Sequence, residues 1–201
     1  DYAALDDSSF ATVTLGSAPG KPTLKAHRVR FAFEHAIVEA TDQVIALGYR
    51  KIGLAPFEHS EPTEDDWQVL GAIEICKQKH GKKVFIPPFL GLHEDEKGFS
   101  EWILKHKPDA VVSLHPGAYW WLKELGLRMP KDLGLAVIVS RTDESTPELS
   151  GFESSKQILV KEALGLLDHL LKRGERGLPT HPRETLLHFP WVAGTTLRSS
   201  K

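Results

Sequence analysis

Residues 41–57, TDQVIALGYRKIGLAPF, hold a helix stop and a strand start only a few residues apart. An amphipathic run ends at Leu47-Gly48, where a left-handed cap residue is expected, and an apolar run opens at Ile52. That is one αβ crossover, the unit from which parallel sheets are wound. The same grammar returns at KPDAVVSLH (107–115) and at LKELGLRMPKDLGLAVIVS (122–140). Gly48, Gly81, Gly126 and Gly174 each follow an amphipathic run. Stretches of strand length lie between them, at Phe10–Leu15, Val29–Phe33, Ile52–Ala55, Val84–Ile86, Ala110–Leu114, Leu135–Val139 and Thr185–Phe189. Helices and strands therefore alternate from residue 34 to residue 140. This predicts an α/β fold around a parallel sheet whose strands are buried on both faces.

The longest predicted helix runs from Ser154 to Arg173, with Ser154 and Gln157 at capping-box spacing. Leu159, Ala163, Leu166, Leu167 and Leu170 form one apolar face with a period of 3.6, which suits packing on a sheet and not a zipper. The loop GERGLPTHP separates this helix from a closing strand.

Charge excludes one broad class. The 25 Lys+Arg residues against 27 Asp+Glu give a net of −2, with no basic cluster of the kind a nucleic-acid surface needs. No apolar run approaches the roughly 18 residues of a membrane span, and the one cysteine, Cys76, reads as an apolar filler in a reducing compartment. Cytoplasm is the expected location.

Chemistry-bearing motifs are missing. The ten histidines include no His-x-His or HExxH spacing, so no metal site is expected. The acidic run at 93–96 reads as the start of a helix, where carboxylates favour the positive end of the dipole. There is no G-x-S-x-G elbow and no phosphate-cradling glycine loop. Neither a catalytic residue nor a cofactor is expected. Ser140 and His115 are the one nucleophile–base pair that an α/β enzyme could use here.

Position supplies the remaining argument, because open α/β sheets bind ligands off the carboxyl ends of their strands. The residues just past those ends are Phe57-Glu58, Pro88-Phe89, His115-Pro116 and Ser140-Arg141-Thr142. Trp67 and the Tyr119-Trp120-Trp121 run stand near the starts of the following helices. Phe57, Trp67, His115 and Arg141 are therefore candidate ligand contacts, with the aromatics able to stack on the apolar face of a sugar.

Several segments, taken in order, resemble the effector-binding domain of lactose-repressor-family transcriptional regulators. ALGYRKIGLA is similar to the family's L-G-[HY]-[RK]-x-I-[GA] junction, and PDAVVSLH to its P-D-A-[VI] strand. LGLRMPKDLGLAVI resembles its G-x-x-[VI]-P-x-D segment, the most specific piece. ELSGFESSKQILVKEALGLLDHLL and GLPTHPRETLLHFPWVAGTTL resemble the return to the N-terminal lobe and the closing strand with its tail.

The resemblance implies a two-lobed, periplasmic-binding-protein-like type I fold with its N-terminal lobe only partly present. It divides the chain into 1–49 (partial N-terminal lobe), 50–148 (C-terminal lobe), 149–183 (return to the N-terminal lobe) and 184–201 (closing strand and tail of the C-terminal lobe). The family's effector-contacting arginine falls at Gln68, its cleft asparagine at His115 and its cleft aspartate near Arg141. An arginine in place of that acid suggests an anionic ligand. The implied function is sensing of a small sugar-like effector by a homodimer, with DNA bound only through a headpiece outside these residues. An extracytoplasmic solute receptor of the same fold and an α/β enzyme are the alternatives. The helices at 34–48 and 154–173 are expected to expose apolar faces, and with them self-association or partial disorder around residues 1–30.

Overall fold

The computed structural model describes residues 9–17, 25–57, 59–140, 148–153 and 155–199. Their strands form two sheets. The smaller contains β1 (Val13–Leu15), β2 (His27–Phe31) and β7 (Glu184–Leu187), in the order β1-β2-β7 and all parallel. The larger has the order β3 (Ile52–Ala55), β4 (Ala110–Ser113), β5 (Gly134–Ser140), β6 (Ser150–Glu153) and β8 (Trp191–Val192). The first four of these are parallel, and β8 closes the sheet antiparallel. Ile52–Ala55, Ala110–Leu114 and Leu135–Val139, expected as strands of a parallel sheet, run side by side, with Ile52 opposite Ala110 and Ala110 opposite Gly134.

Five α-helices among the described residues cover these sheets: α1 (Phe33–Ala46), α2 (Glu64–His80), α3 (Glu96–His106), α4 (Ala118–Glu124) and α5 (Lys156–Lys172). One face of the larger sheet packs Leu54, Val112, Ala136 and Ile138 with Ala40, Val44, Ile73 and Cys76 from α1 and α2. The other packs Val111, Leu135 and Val137 with Phe99, Trp102 and Leu122 from α3 and α4. Cover on both faces is why IGLA, AVVS and GLAVIVS are almost wholly apolar and do not alternate. Gly53 belongs to this packing, because a β-carbon there would run into the Trp102 ring. The indole is fixed by its Nε1 donating to the Pro87 carbonyl at 2.8 Å.

Local signals mostly hold. Gly48, Gly81, Gly126 and Gly174 all take positive φ at helix ends, the left-handed conformation open to a residue without a β-carbon. A capping box is expected at Ser154. Ser154 lies outside the described residues, and Ser155 caps α5 by accepting from the Ile158 amide at 3.4 Å. A full capping box does occur on α2, between Thr63 and Asp66. Val84–Ile86 is not a strand. Lys82–Val84 make a 3-10 turn and Phe85 forms one isolated bridge to Ile52. Pro87 and Pro88 follow at once, and without N–H groups they cannot extend a ladder.

The chain changes sheets at other points than the resemblance implies. α1 packs on α2 and on the larger sheet, β6 lies in the larger sheet, and β7 lies in the smaller. A run of apolar residues carries no mark of the sheet it will join. The apolar face of α1 is accordingly buried through Ala36, Ile37, Ala40 and Val44, against expectation, whereas α5 does leave Val160, Leu164 and Leu171 exposed.

The C-terminal tail is pinned at Tyr49, which is 0% exposed and accepts a hydrogen bond from the Arg198 amide at 3.1 Å. The Arg198 guanidinium lies 4.4 Å from the ring centroid, within cation–π range. Tyr49→Ala should lower stability by about 3–5 kcal/mol, the usual loss for a buried aromatic. Denaturant titration checks this through a lower midpoint with an unchanged slope.

Candidate functional site

Because the smaller sheet is parallel throughout and four strands of the larger one are parallel, carboxyl ends from both can face one space. A crevice of about 560 Å³ opens there. From the smaller sheet it takes Gly16 and Ser17, just after β1, and Phe33 at the start of α1. From the larger it takes Pro56, Phe57 and His59 after β3, Leu114, His115 and Pro116 after β4, and Val139 near the end of β5. Thr63, Asp65 and Asp66 at the start of α2, together with His93, complete the wall.

Phe57 forms part of the floor. It is buried and has φ of 57°, a conformation that costs a residue with a β-carbon about 1–3 kcal/mol. Its ring is held by Phe89 at 5.4 Å, Phe99 at 5.9 Å and Trp121 at 5.7 Å between centroids. His115 meets the same cluster, stacked on Trp121 at 5.9 Å. The His115 Nδ1 accepts from the Gly117 amide at 3.1 Å, which puts the proton of the neutral ring on Nε2. His93 stands 6.0 Å from His115 and 6.4 Å from His59, so three imidazoles form one wall. His59 in turn contacts Asp66 at 3.0 Å. No group of metal-ligating side chains close enough to hold an ion occurs among the described residues.

Of the residues expected from sequence, Phe57 and His115 line the crevice. Trp67 does not. It is 64% exposed and borders an adjoining recess of about 30 Å³ that shares Pro56, Phe57, Asp66 and Val69 with the crevice. Gln68 is outside the lining as well, with its Oε1 buried and without a hydrogen-bond partner. Arg141 lies outside the described residues, so the charged groups seen at the crevice are the carboxylates Asp65 and Asp66. The aromatic run divides, with Trp121 packed on His115 and Trp120 turned outward beneath the Lys123 ammonium.

The sequence reading missed a cluster of buried ions at the crevice edge. Arg30 on β2 makes a bidentate pair with Glu34, at 2.9 and 3.0 Å. Its Nε lies 3.0 Å from Glu184 and 3.7 Å from Asp65, in neither case aligned as a hydrogen bond. Arg28 donates to Glu184 at 2.6 Å and to Ser17 at 2.8 Å, and pairs with Glu64 at 3.1 Å. Burial alone would push the Glu34 and Glu184 carboxyls up, but the adjoining arginines hold both below the ordinary range. For Asp65 burial wins over the pull of Arg30 and Arg28, and its carboxyl is raised. The one available signal was Arg28 and Arg30 alternating with the apolar Val29 and Phe31.

A family model described as a periplasmic binding protein-like domain matches residues 41–196. No match to this sequence is found among the curated proteins. Among solved structures, transcription regulator CcpA of Lactococcus lactis superposes with a TM-score of 0.75 at 16% identity, over 98% of this chain and 73% of its own. A LacI family transcriptional regulator from Enterococcus faecium with bound ribose gives 0.70 at 17%, over 94% and 71%. One from Arthrobacter sp. FB24 in complex with lactose gives 0.69 at 18%, over 92% and 71%. At such identities the likeness establishes the fold.

Two substitutions should separate the ionic roles. Arg30→Met strands several carboxylates and should cost about 3–5 kcal/mol. Asp65→Asn should instead raise Tm at neutral pH, because the folded protein holds that charge at a cost. A raised carboxyl favours the protonated form in the fold, so wild-type stability falls as pH climbs above the ordinary aspartate value of 3.8. The advantage of the variant should therefore vanish in acid, where Asp65 is itself neutral. Melting curves across pH check both the sign and the window.

Proposed function

Because the chain belongs to the periplasmic-binding-protein-like domain family, we propose that it is the effector-sensing portion of a lactose-repressor-type transcriptional regulator. The observation carrying this reading is the crevice between the carboxyl ends of two sets of parallel strands, where α/β folds take small ligands. Its 560 Å³ falls within the range of small-molecule sites. An aromatic and apolar floor beneath aspartates and imidazoles suits a sugar-like molecule, with stacking on the ring face and hydrogen bonds to hydroxyls. Ribose and lactose in the crystals of structural neighbours point to the same ligand class.

The mechanism is a population shift. A ligand touching Ser17 and Phe33 on one side and Phe57 and His115 on the other favours one arrangement of the sheets over others. Two such chains in a homodimer would pass that bias to DNA-binding headpieces outside these residues. A regulator of this kind works in the cytoplasm. No helix among the described residues is long and apolar enough to cross a membrane. No catalytic step is assigned to the crevice. An extracytoplasmic receptor has the same fold, but the neighbours named above are regulators.

A thermal-shift screen of pentoses, hexoses and disaccharides tests the reading. A true effector at a hundred times its Kd adds about 2.7 kcal/mol, hence about 5–10 °C in Tm for a chain of this size. His115→Ala should weaken that ligand about tenfold or more, as expected for loss of a buried hydrogen bond. If no saccharide raises Tm, the sugar-sensing reading fails.

A further inference from the structure

A second cavity lies at the other pole of the smaller sheet, where β2 and β7 begin. It encloses about 620 Å³ between the start of β1, the end of α5 and the 174–183 loop. Arg173, Arg176 and Arg183 line it, and Glu175 is the one carboxylate among its described lining residues. Three positive charges against one leave a surplus of two. Glu175 is shared, 2.7 Å from the Arg173 Nε and 3.8 Å from an Arg183 terminal nitrogen. Arg176 uses one donor on the Ser9 carbonyl at 3.3 Å, and a guanidinium has five.

His27 also lines the cavity and is only 4% exposed. Its Nδ1 accepts from the Arg183 amide at 3.0 Å, so the proton of the neutral ring sits on Nε2 as a donor. Burial and the Arg183 charge outweigh Glu175 and keep the imidazole neutral. The carbonyl end of α5 is here too, ordinarily an unfavourable pole for an anion. Three of its carbonyls, on His169, Leu170 and Leu171, already accept from the Arg173, Gly174 and Glu175 amides.

We propose that this cavity binds a small phosphomonoester, with Arg176 and Arg183 forking the phosphate oxygens and His27 donating from the floor. The charge of such a group at neutral pH, about −1.5 to −2, matches the surplus of two, and guanidinium forks fit phosphate in pairs. A carboxylate carries half that charge. A duplex would need cations spread along a convex strip, whereas here they line one hollow. Glu175 competes with the ligand for two of the arginines.

Calorimetry on the full chain at constant ionic strength tests this, with glycerol 3-phosphate as ligand, glycerol as uncharged control, and inorganic phosphate and a short duplex as further arms. Glycerol 3-phosphate should bind, inorganic phosphate more weakly, and glycerol not at all. Arg176→Gln with Arg183→Gln should weaken binding about tenfold or more. Glu175→Gln should tighten it, a change of opposite sign that damage to folding would not produce. Absence of heat with glycerol 3-phosphate, weaker binding by Glu175→Gln, or a duplex binding equally well per phosphate would each overturn the assignment.

Discussion

Arg28 and Arg30 lie on a central strand, among apolar neighbours, where a charge cannot remain uncompensated. Their neutralisation joins the two sheets. Glu184 comes from the adjacent strand β7, Glu34 from the helix that leaves β2, and Glu64 and Asp65 from α2, which packs on the larger sheet. A buried pair is weak testimony for net stability, since desolvation offsets attraction, but breaking one is costly. The cluster therefore fixes the relative placement of the sheets more than it strengthens the fold. Asp65 is its loosest member. It is 14% exposed, lines the crevice and is held by charge without a hydrogen bond to Arg30.

That placement decides what the crevice can be. Strand direction sends Phe57 and His115 to one opening, and the Phe89–Phe99–Trp121 cluster behind them keeps their rings from turning. Phe57 tolerates its left-handed backbone because four rings surround it. Strain of this kind persists where the surroundings over-determine a residue, and such places tend to be ligand sites. The floor is thus held by packed rings, while the polar rim comes from loops and from the first turn of α2.

The smaller sheet has opposite chemistry at its two ends. Carboxylates and imidazoles stand where its strands finish, and a surplus of guanidinium stands where β2 and β7 start. The chain as a whole is nearly neutral, at −2, so a polarity of this kind is invisible in composition. It arises because Arg183, Arg173 and Arg176 are gathered by the turn after α5, whereas Asp65 and Asp66 are brought to the crevice by the start of α2.

The sequence by itself determined the α/β class, the parallel β3, β4 and β5 and the glycine helix stops, because these depend on local periodicity and on positive φ. It also brought Phe57 and His115 to the crevice, since a residue just past a parallel strand has nowhere else to go. Tertiary structure alone decided the rest. It placed β7 in the smaller sheet and β6 in the larger, turned Trp67 out to solvent, and assembled His59, His93 and His115 from three separate loops. It also buried Arg28 and Arg30 against acids more than 150 residues away in one case. Partnerships at such separations leave no periodic trace, because each residue alone reads as an ordinary surface charge or loop histidine.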